Sequence, residues 1–194
     1  MAYMAKDYAG LLGMAGFSET LLQNHFTLYQ GYVANTNRVL DALEALAKEG
    51  KASTPEFSEL KRRLGWEFNG MRLHELYFEN LGGAKAAPLK ADGRLSKALA
   101  AQFGSMEAWE REFRATGAMR GIGWVVLYRD PEGGRLMNFW INEHDTAHPA
   151  GCVPLLVMDV FEHAFMVDYG LKRADYIQAF FANLNWEKVE ARLR

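Results

Sequence analysis

The chain of 194 residues has few of the features that mark a secreted, membrane-bound or nucleic-acid-binding protein. It contains a single cysteine, Cys152, so no disulfide bond can form within the chain. No apolar run approaches the roughly 20 residues that a membrane-spanning helix needs. Residues 1–17 lack the basic segment and continuous apolar core of a secretory signal. We therefore expect a cytoplasmic protein without a membrane partner.

An excess of one charge is also missing. The 22 lysine and arginine residues are balanced by 24 acidic residues, which gives a net charge of -2. Proteins that bind nucleic acids usually carry a basic surface, because the phosphate backbone dominates their affinity. The composition therefore predicts no nucleic-acid partner.

Apolar residues are abundant instead, and their spacing predicts the first half of the fold. With 49% hydrophobic residues, the chain can bury a sizeable core. A long helix is predicted over residues 21–48, after a capping serine, and a second over 55–81, after a capping threonine and a proline. Two long helices joined by a short loop form an antiparallel hairpin. A small, proline-containing linker at 84–93 follows, so we place the first domain at 1–84.

The second domain, residues 85–194, has a mixed pattern. Helices are predicted over 94–103, 105–119 and, with a break near Asn183, 174–194. Runs rich in β-branched and aromatic residues, the first two separated by a proline- and glycine-containing turn, predict strands over 124–128, 135–142 and 155–158. The sequence thus predicts an α+β protein: an N-terminal antiparallel helical hairpin and a C-terminal domain with a three-stranded antiparallel sheet flanked by helices.

The run MDVFEHAF, residues 158–165, follows the third strand and contains two side chains that bind metals. Asp159 and His163 are four residues apart, so they would share one face if a helix begins there. A surface ion pair or a capping aspartate would give the same spacing. The neighbouring residues are apolar, however, and burying an unpaired carboxylate among them is costly. A metal ion would compensate for that cost.

Histidines are scarce, and two of the five lie on predicted inward helical faces. A single histidine on such a face is more often a hydrogen-bonded core residue than a ligand. His25 and His74, on the two hairpin helices, would nevertheless complete a buried set of three imidazoles and one carboxylate with Asp159 and His163. Such a set favours iron or manganese, and zinc is also possible. A mononuclear metal hydrolase, with bound water as its nucleophile, remains an alternative.

Several segments resemble the iron/manganese superoxide dismutases. DVFEHAF, followed by Asp168 and Tyr169, is similar to the D-x-W-E-H-A-Y signature of that family. Other segments resemble family motifs in the same order along the chain: SETLLQNHFTLYQGYVANTN (18–37), HELYFENL (74–81), GIGW (121–124) and NEHD (142–145).

The resemblance implies an enzyme that disproportionates its substrate superoxide to dioxygen and hydrogen peroxide. It implies one iron or manganese ion per chain, bound between the two domains by a solvent molecule and four ligands, His25, His74, Asp159 and His163.

Three further residues receive roles from the same resemblance. Tyr32 is expected to be a gate residue at the mouth of the substrate channel, and His144 the hydrogen-bond partner that tunes the metal-bound solvent. Glu162 is expected to reach the ligand histidine of a partner subunit, which predicts a homodimer or a larger assembly such as a tetramer. Without the resemblance, His144 and His148 would both be read as ordinary loop histidines.

The chain also departs from the family pattern. Asn24 occupies the usual position of the first histidine, and His25 comes one residue later. Either the first ligand is lost, as in a non-enzymatic interaction module, or this helix lacks a one-residue π-bulge. In a regular helix His25, Tyr29 and Tyr32 share one face, so we choose His25 as the ligand.

Other departures affect the surroundings of the site. Gly70 stands four residues before His74, where some iron-type members have glutamine, and we expect it to leave room for His144. The remaining departures keep apolar character: Phe161 and Phe78 replace tryptophans, and Met166 replaces a tyrosine that lines the channel. An altered channel is therefore expected, with simple packing as the main role of Met166.

Overall fold

The computed structural model describes residues 2–83 and 86–193. The helices are α1 (Glu19–Lys48), α2 (Pro55–Asn80), α3 (Arg94–Phe103), α4 (Met106–Gly117), α5 (Met166–Tyr169), α6 (Arg173–Ala182) and α7 (Trp186–Ala191). The strands are β1 (Gly123–Arg129), β2 (Leu136–Asn142) and β3 (Val153–Asp159). The proposed boundary between residues 84 and 85 lies outside the described residues, as does Arg194, the last residue of the predicted C-terminal helix.

The two hairpin helices begin at the residues that the sequence predicts. The Ser18 hydroxyl accepts a hydrogen bond from the Leu21 amide at 3.1 Å, and the Thr54 hydroxyl accepts one from the Phe57 amide at 3.3 Å. These caps satisfy amides that have no partner within the helix. α1 and α2 pack against each other along their apolar faces, so the predicted hairpin is confirmed.

The three strands form one antiparallel sheet in the order β2-β1-β3, which confirms the predicted sheet. Val126, in the centre of β1, pairs with Phe139 of β2 and Val157 of β3. β1 is buried from Gly123 to Tyr128, whereas most of β2 is only half-buried. The continuous apolar run of β1 therefore suits a strand that is covered on both faces.

The chain after β3 differs from the prediction. Asp159 is the last residue of the strand and pairs with Trp124, and His163 lies in a 3₁₀ turn, so the two do not share a helical face. One Asp159 carboxylate oxygen accepts a hydrogen bond from the Phe161 amide at 2.8 Å. Such a bond from a side chain to the backbone competes with helix formation. The helix that would place Asp159 and His163 on one face is therefore absent at this point, although the two side chains still converge.

The hairpin is fastened to the sheet by polar contacts within the core. The Asn80 side-chain amide, at the end of α2, donates to the Val157 carbonyl at 2.7 Å. The Arg192 guanidinium, just after α7, bridges the two, because it donates to the Leu155 carbonyl at 2.8 Å and to the Glu79 carboxylate of α2 at 3.1 Å. The break predicted near Asn183 is present between α6 and α7. None of the described helices is long and apolar enough to cross a membrane.

Candidate metal centre

The structure brings together the four side chains that the sequence analysis selects as ligands. They come from α1, α2, the end of β3 and the turn that follows it, and one donor atom from each lies within 4.8 Å of the others. The Nε2 atoms of His25 and His163 are each 3.1 Å from Asp159 Oδ2. His74 Nε2 is 3.6 Å from the same oxygen. Three side chains are fully buried, and that of His163 is 22% exposed.

The hydrogen bonds of His74 test whether these residues fit a metal ion. Its Nδ1 lies 2.6 Å from the Gly70 carbonyl, which can only accept, so Nδ1 carries the proton. The neutral ring therefore turns an unprotonated Nε2 toward the cluster. That buried nitrogen has no hydrogen-bond partner among the described residues. A buried lone pair without a partner is costly, and a cation in the cluster would remove that cost.

Burial and charge shift the pKa values of three members of the cluster. Burial lowers the pKa of both His25 and His74, in the case of His74 to well below its usual value. Burial alone would raise the pKa of the Asp159 carboxyl, but the charge and hydrogen bonds of His163 and His25 outweigh it and hold that pKa well below its usual range. The neutral imidazoles of His25 and His74 and the ionised carboxylate of Asp159 are a donor set suited to iron, manganese or zinc.

The departure in the first helix has a simple geometric outcome. α1 is α-helical from Glu19 to Lys48 without a π turn, so His25 points inward and Asn24 outward. His25 is fully buried, and its ring centroid lies 5.0 Å from that of His74. Of the two neighbouring residues, only His25 is therefore within reach of the carboxylate.

His144 occupies a loop after β2 and is fully buried beside the cluster. Its Nδ1 accepts a hydrogen bond from the Trp124 indole N–H at 3.0 Å. Because indole can only donate, the neutral His144 ring carries its proton on Nε2 and donates it to the Tyr32 hydroxyl oxygen at 2.7 Å. Burial lowers the pKa of His144 to about 4, which favours this neutral form. No role for Trp124 was predicted from the sequence, although the GIGW segment that contains it resembles a family motif.

The space above Gly70 is filled by Tyr32. A Cβ atom on Gly70 would lie 2.6 Å from the Tyr32 ring, so the glycine makes room first for the tyrosine, which in turn contacts His144. Burial raises the pKa of Tyr32 to about 12, with a further contribution from the negative charge of Asp159. Its hydroxyl is therefore protonated at neutral pH.

The residues that depart from the family pattern surround this centre. Phe161 stacks between His144 and His163, with ring centroids 4.7 and 5.2 Å away. The Phe78 ring lies 5.0 Å from that of His25. Both phenylalanines provide the expected apolar wall. Met166 is 41% exposed.

Glu162 and His148 lie outside this inner cluster. The Glu162 side chain is exposed, and no hydrogen bond or ion pair joins it to any residue within 2–83 or 86–193. His148 is half-buried and contacts Tyr128 and the His144 carbonyl.

Comparisons with known proteins agree with this arrangement. Residues 91–192 match the family model described as iron/manganese superoxide dismutases, C-terminal domain. A superoxide dismutase [Fe] of Cupriavidus metallidurans is 38% identical over 185 residues, which cover 92% of this chain and 89% of the relative. One from Aquifex pyrophilus is 37% identical, covering 96% and 89%. A superoxide dismutase [Mn] of Haloferax volcanii is 34% identical, covering 90% and 85%. The chain therefore belongs to the iron/manganese superoxide dismutase family.

Proposed function

We propose that this protein is a superoxide dismutase that converts superoxide to dioxygen and hydrogen peroxide at one iron or manganese site per chain. The observation that carries the proposal is the convergence of four donor atoms, including the buried and unpartnered Nε2 of His74. The proposed ligands are His25, His74, Asp159 and His163, with solvent in the remaining position. Relatives with both metals in their names match this chain, in keeping with either ion.

The proposed chemistry needs both electrons and protons. Iron or manganese, when bound, supplies the one-electron redox couple that disproportionation requires. Protons are consumed as hydrogen peroxide forms. Tyr32 is suited to donate them, because its hydroxyl oxygen already accepts from His144 and its own hydrogen is free to point at a substrate or solvent. His144 would act on the bound solvent in one of two ways: through its hydrogen bond to Tyr32, or by sharing its Nε2 proton with that solvent.

We further propose that residues 1–84 and 85–194 are two domains that share the site. His25 and His74 come from the first, and Asp159 and His163 from the second. Neither domain would then hold the ion alone. The single cysteine supports the cytoplasm as the compartment of the protein, because a disulfide-free chain suits a reducing environment.

A homodimer, or a tetramer built from it, is proposed as the working assembly. Glu162 is next to the ligand His163 and is exposed in the single chain. Nearby exposed apolar side chains, Met119, Ile122 and Met166, share a surface groove with Glu162. A second subunit would cover these side chains and give the Glu162 carboxylate an imidazole partner, which a buried charge requires.

The test is to measure metal content by mass spectrometry on the purified protein, and dismutation after separate reconstitution with iron and manganese. We expect about one ion per chain and activity with at least one of the metals. Stoichiometric metal without dismutation would favour the metal hydrolase. A protein that binds no metal would be the non-enzymatic interaction module.

A further inference from the structure

The loop that carries His144 has an unusual backbone. Asn142 and Thr146 exchange two backbone hydrogen bonds, at 3.1 and 3.3 Å, and so close a tight turn around His144. Glu143, just before His144, has a φ of 53°, and Ala147, just after the turn, has a φ of 77°. Residues other than glycine are uncommon in this left-handed region and persist there only when their surroundings hold them. Contacts outside the turn must therefore help to fix it.

His148 makes two such contacts. Its Nε2 lies 2.9 Å from the His144 carbonyl oxygen, which can only accept, so Nε2 carries a proton and donates it. Its Nδ1 lies 2.8 Å from the Tyr128 hydroxyl. In the neutral ring Nδ1 is the acceptor, so Tyr128 donates to it. The orientation of the His148 ring is thus determined at both nitrogens.

Tyr128 ties this contact to the central strand of the sheet. It lies in β1, the central strand, and pairs with Met137 of β2 and Pro154 of β3. The same strand holds Trp124, whose indole fixes the other end of His144. One strand therefore holds His144 twice: at its ring directly, and at its backbone carbonyl through His148.

We propose that His148 is a positioning residue for the dismutation reaction, because it holds the His144 carbonyl so that the His144 ring keeps its bond to Tyr32. The proposal rests on the proposed function, in which His144 and Tyr32 supply and orient protons. The two hydrogen-bond contacts of the His148 ring are to Tyr128 and the His144 carbonyl, so His148 acts through His144.

Three variants of the full-length, metal-loaded protein test this role. H148F keeps a ring but removes both nitrogens, H148Q keeps an amide N–H that can donate to the carbonyl, and Y128F removes the hydroxyl that orients His148. Y169F is the matched control, because it removes a tyrosine hydroxyl that donates to the Gly16 carbonyl and not to a residue of the His144 loop.

The first readout is independent of activity. Hydrogen exchange of the peptide that covers residues 142–148, followed by mass spectrometry, reports how firmly the turn is held. We expect faster exchange in H148F and Y128F, and exchange close to wild type in H148Q and Y169F. Wild-type exchange in H148F would overturn the proposal even if the protein lacked dismutase activity. Failure of the function and failure of the positioning role are therefore distinguishable.

The second readout is the dismutation rate per bound metal. We expect H148F to lose about tenfold, as is typical for residues that orient a metal site from outside it, and H148Q to recover most of that loss. In an H144A background H148F should have no further effect, because coupled residues are not additive. An equal, additional loss in that background would overturn the proposal. If H148F fails to fold, Y128F against Y169F decides by the same two readouts.

Discussion

Tyr32 on the first helix and His144 on the loop after β2 are joined by a 2.7 Å hydrogen bond across 112 residues of sequence. The bond connects the helical hairpin to the sheet domain next to the candidate metal ligands. The direction of the bond follows from Trp124, which occupies the other nitrogen of the His144 ring and leaves only Nε2–H to face Tyr32. The Tyr32 hydroxyl oxygen is thus held in place beside the candidate ligands.

Removal of the Tyr32 hydroxyl should therefore affect catalysis more than metal binding. We expect Tyr32→Phe to retain about one ion per chain and to lose at least about tenfold in dismutation rate, because the proton donor is missing while all four ligands remain. Metal analysis and a rate assay on the same sample separate the two effects. A variant that lost its metal would show that Tyr32 acts as a structural residue.

Two glycines of α2 provide a matched pair for the packing around Tyr32. A Cβ atom on Gly70 would meet the Tyr32 ring at 2.6 Å, whereas one on Gly65 would meet nothing within 4 Å. We expect Gly70→Ala to lower the free energy of unfolding by about 1–3 kcal/mol through overpacking, and to slow dismutation by displacing Tyr32. Gly65→Ala should raise the free energy of unfolding by about 0.5–1 kcal/mol, because alanine favours the helix. Equal effects in urea unfolding would contradict this account.

The one-residue shift in α1 makes a sharp comparison possible. His25 is fully buried against Asp159, and the adjacent Asn24 is exposed. We expect His25→Ala to abolish stoichiometric metal binding, since it removes one of four donors, and Asn24→Ala to leave metal content and activity unchanged. Metal content measured after identical reconstitution decides the matter. Full metal content in the His25→Ala protein would rule out His25 as a ligand.

The buried histidines make the stability of the metal-free protein sensitive to acid. Burial lowers the pKa of His25 and His74, and it lowers that of His144 to about 4. In the unfolded chain these rings become protonated below about pH 6.5. In the folded protein they stay neutral to lower pH. The unfolded state then binds more protons. The free energy of unfolding therefore falls as the pH falls from about 6.5 toward 4.

His144→Gln removes one of these groups and should make the free energy of unfolding less dependent on pH. The slope between about pH 6.5 and 4 should be smaller by about 1.4 kcal/mol per pH unit than in the wild type. Urea unfolding of both metal-free proteins at several pH values measures it. Parallel curves would mean that His144 is protonated to the same extent in the folded and unfolded states.

The proposed dimer depends on Glu162. We expect Glu162→Ala to weaken dimerisation at least about tenfold, because it removes the carboxylate that would pair with an imidazole of the second subunit in the interface. Glu132→Ala, at an exposed turn after β1, is the control and should leave the dimer intact. Sedimentation over a range of protein concentrations measures both. An unchanged dimer with full metal content in Glu162→Ala would exclude this role.

Much of the fold follows from local sequence. Ser18 and Thr54 mark the starts of α1 and α2 because their hydroxyls satisfy nearby amides, an interaction that needs no distant residue. The run around Val126 is apolar on both faces, which is sufficient to predict a buried strand. Local rules failed after β3, where the Asp159 carboxylate binds the Phe161 amide and the strand pairing extends to Asp159 itself.

The sequence by itself determined the two hairpin helices with their caps, the three strands and the identities of the four side chains that could bind a metal, since periodicity and ligand chemistry are local properties. Only the tertiary structure decided which atoms meet. The proton on Nδ1 of His74, the direction of the bond from His144 to Tyr32 and the hold of His148 on the His144 carbonyl each depend on a partner from another segment. Hydrogen bonds are directional and short, so these contacts exist only once the chain has folded.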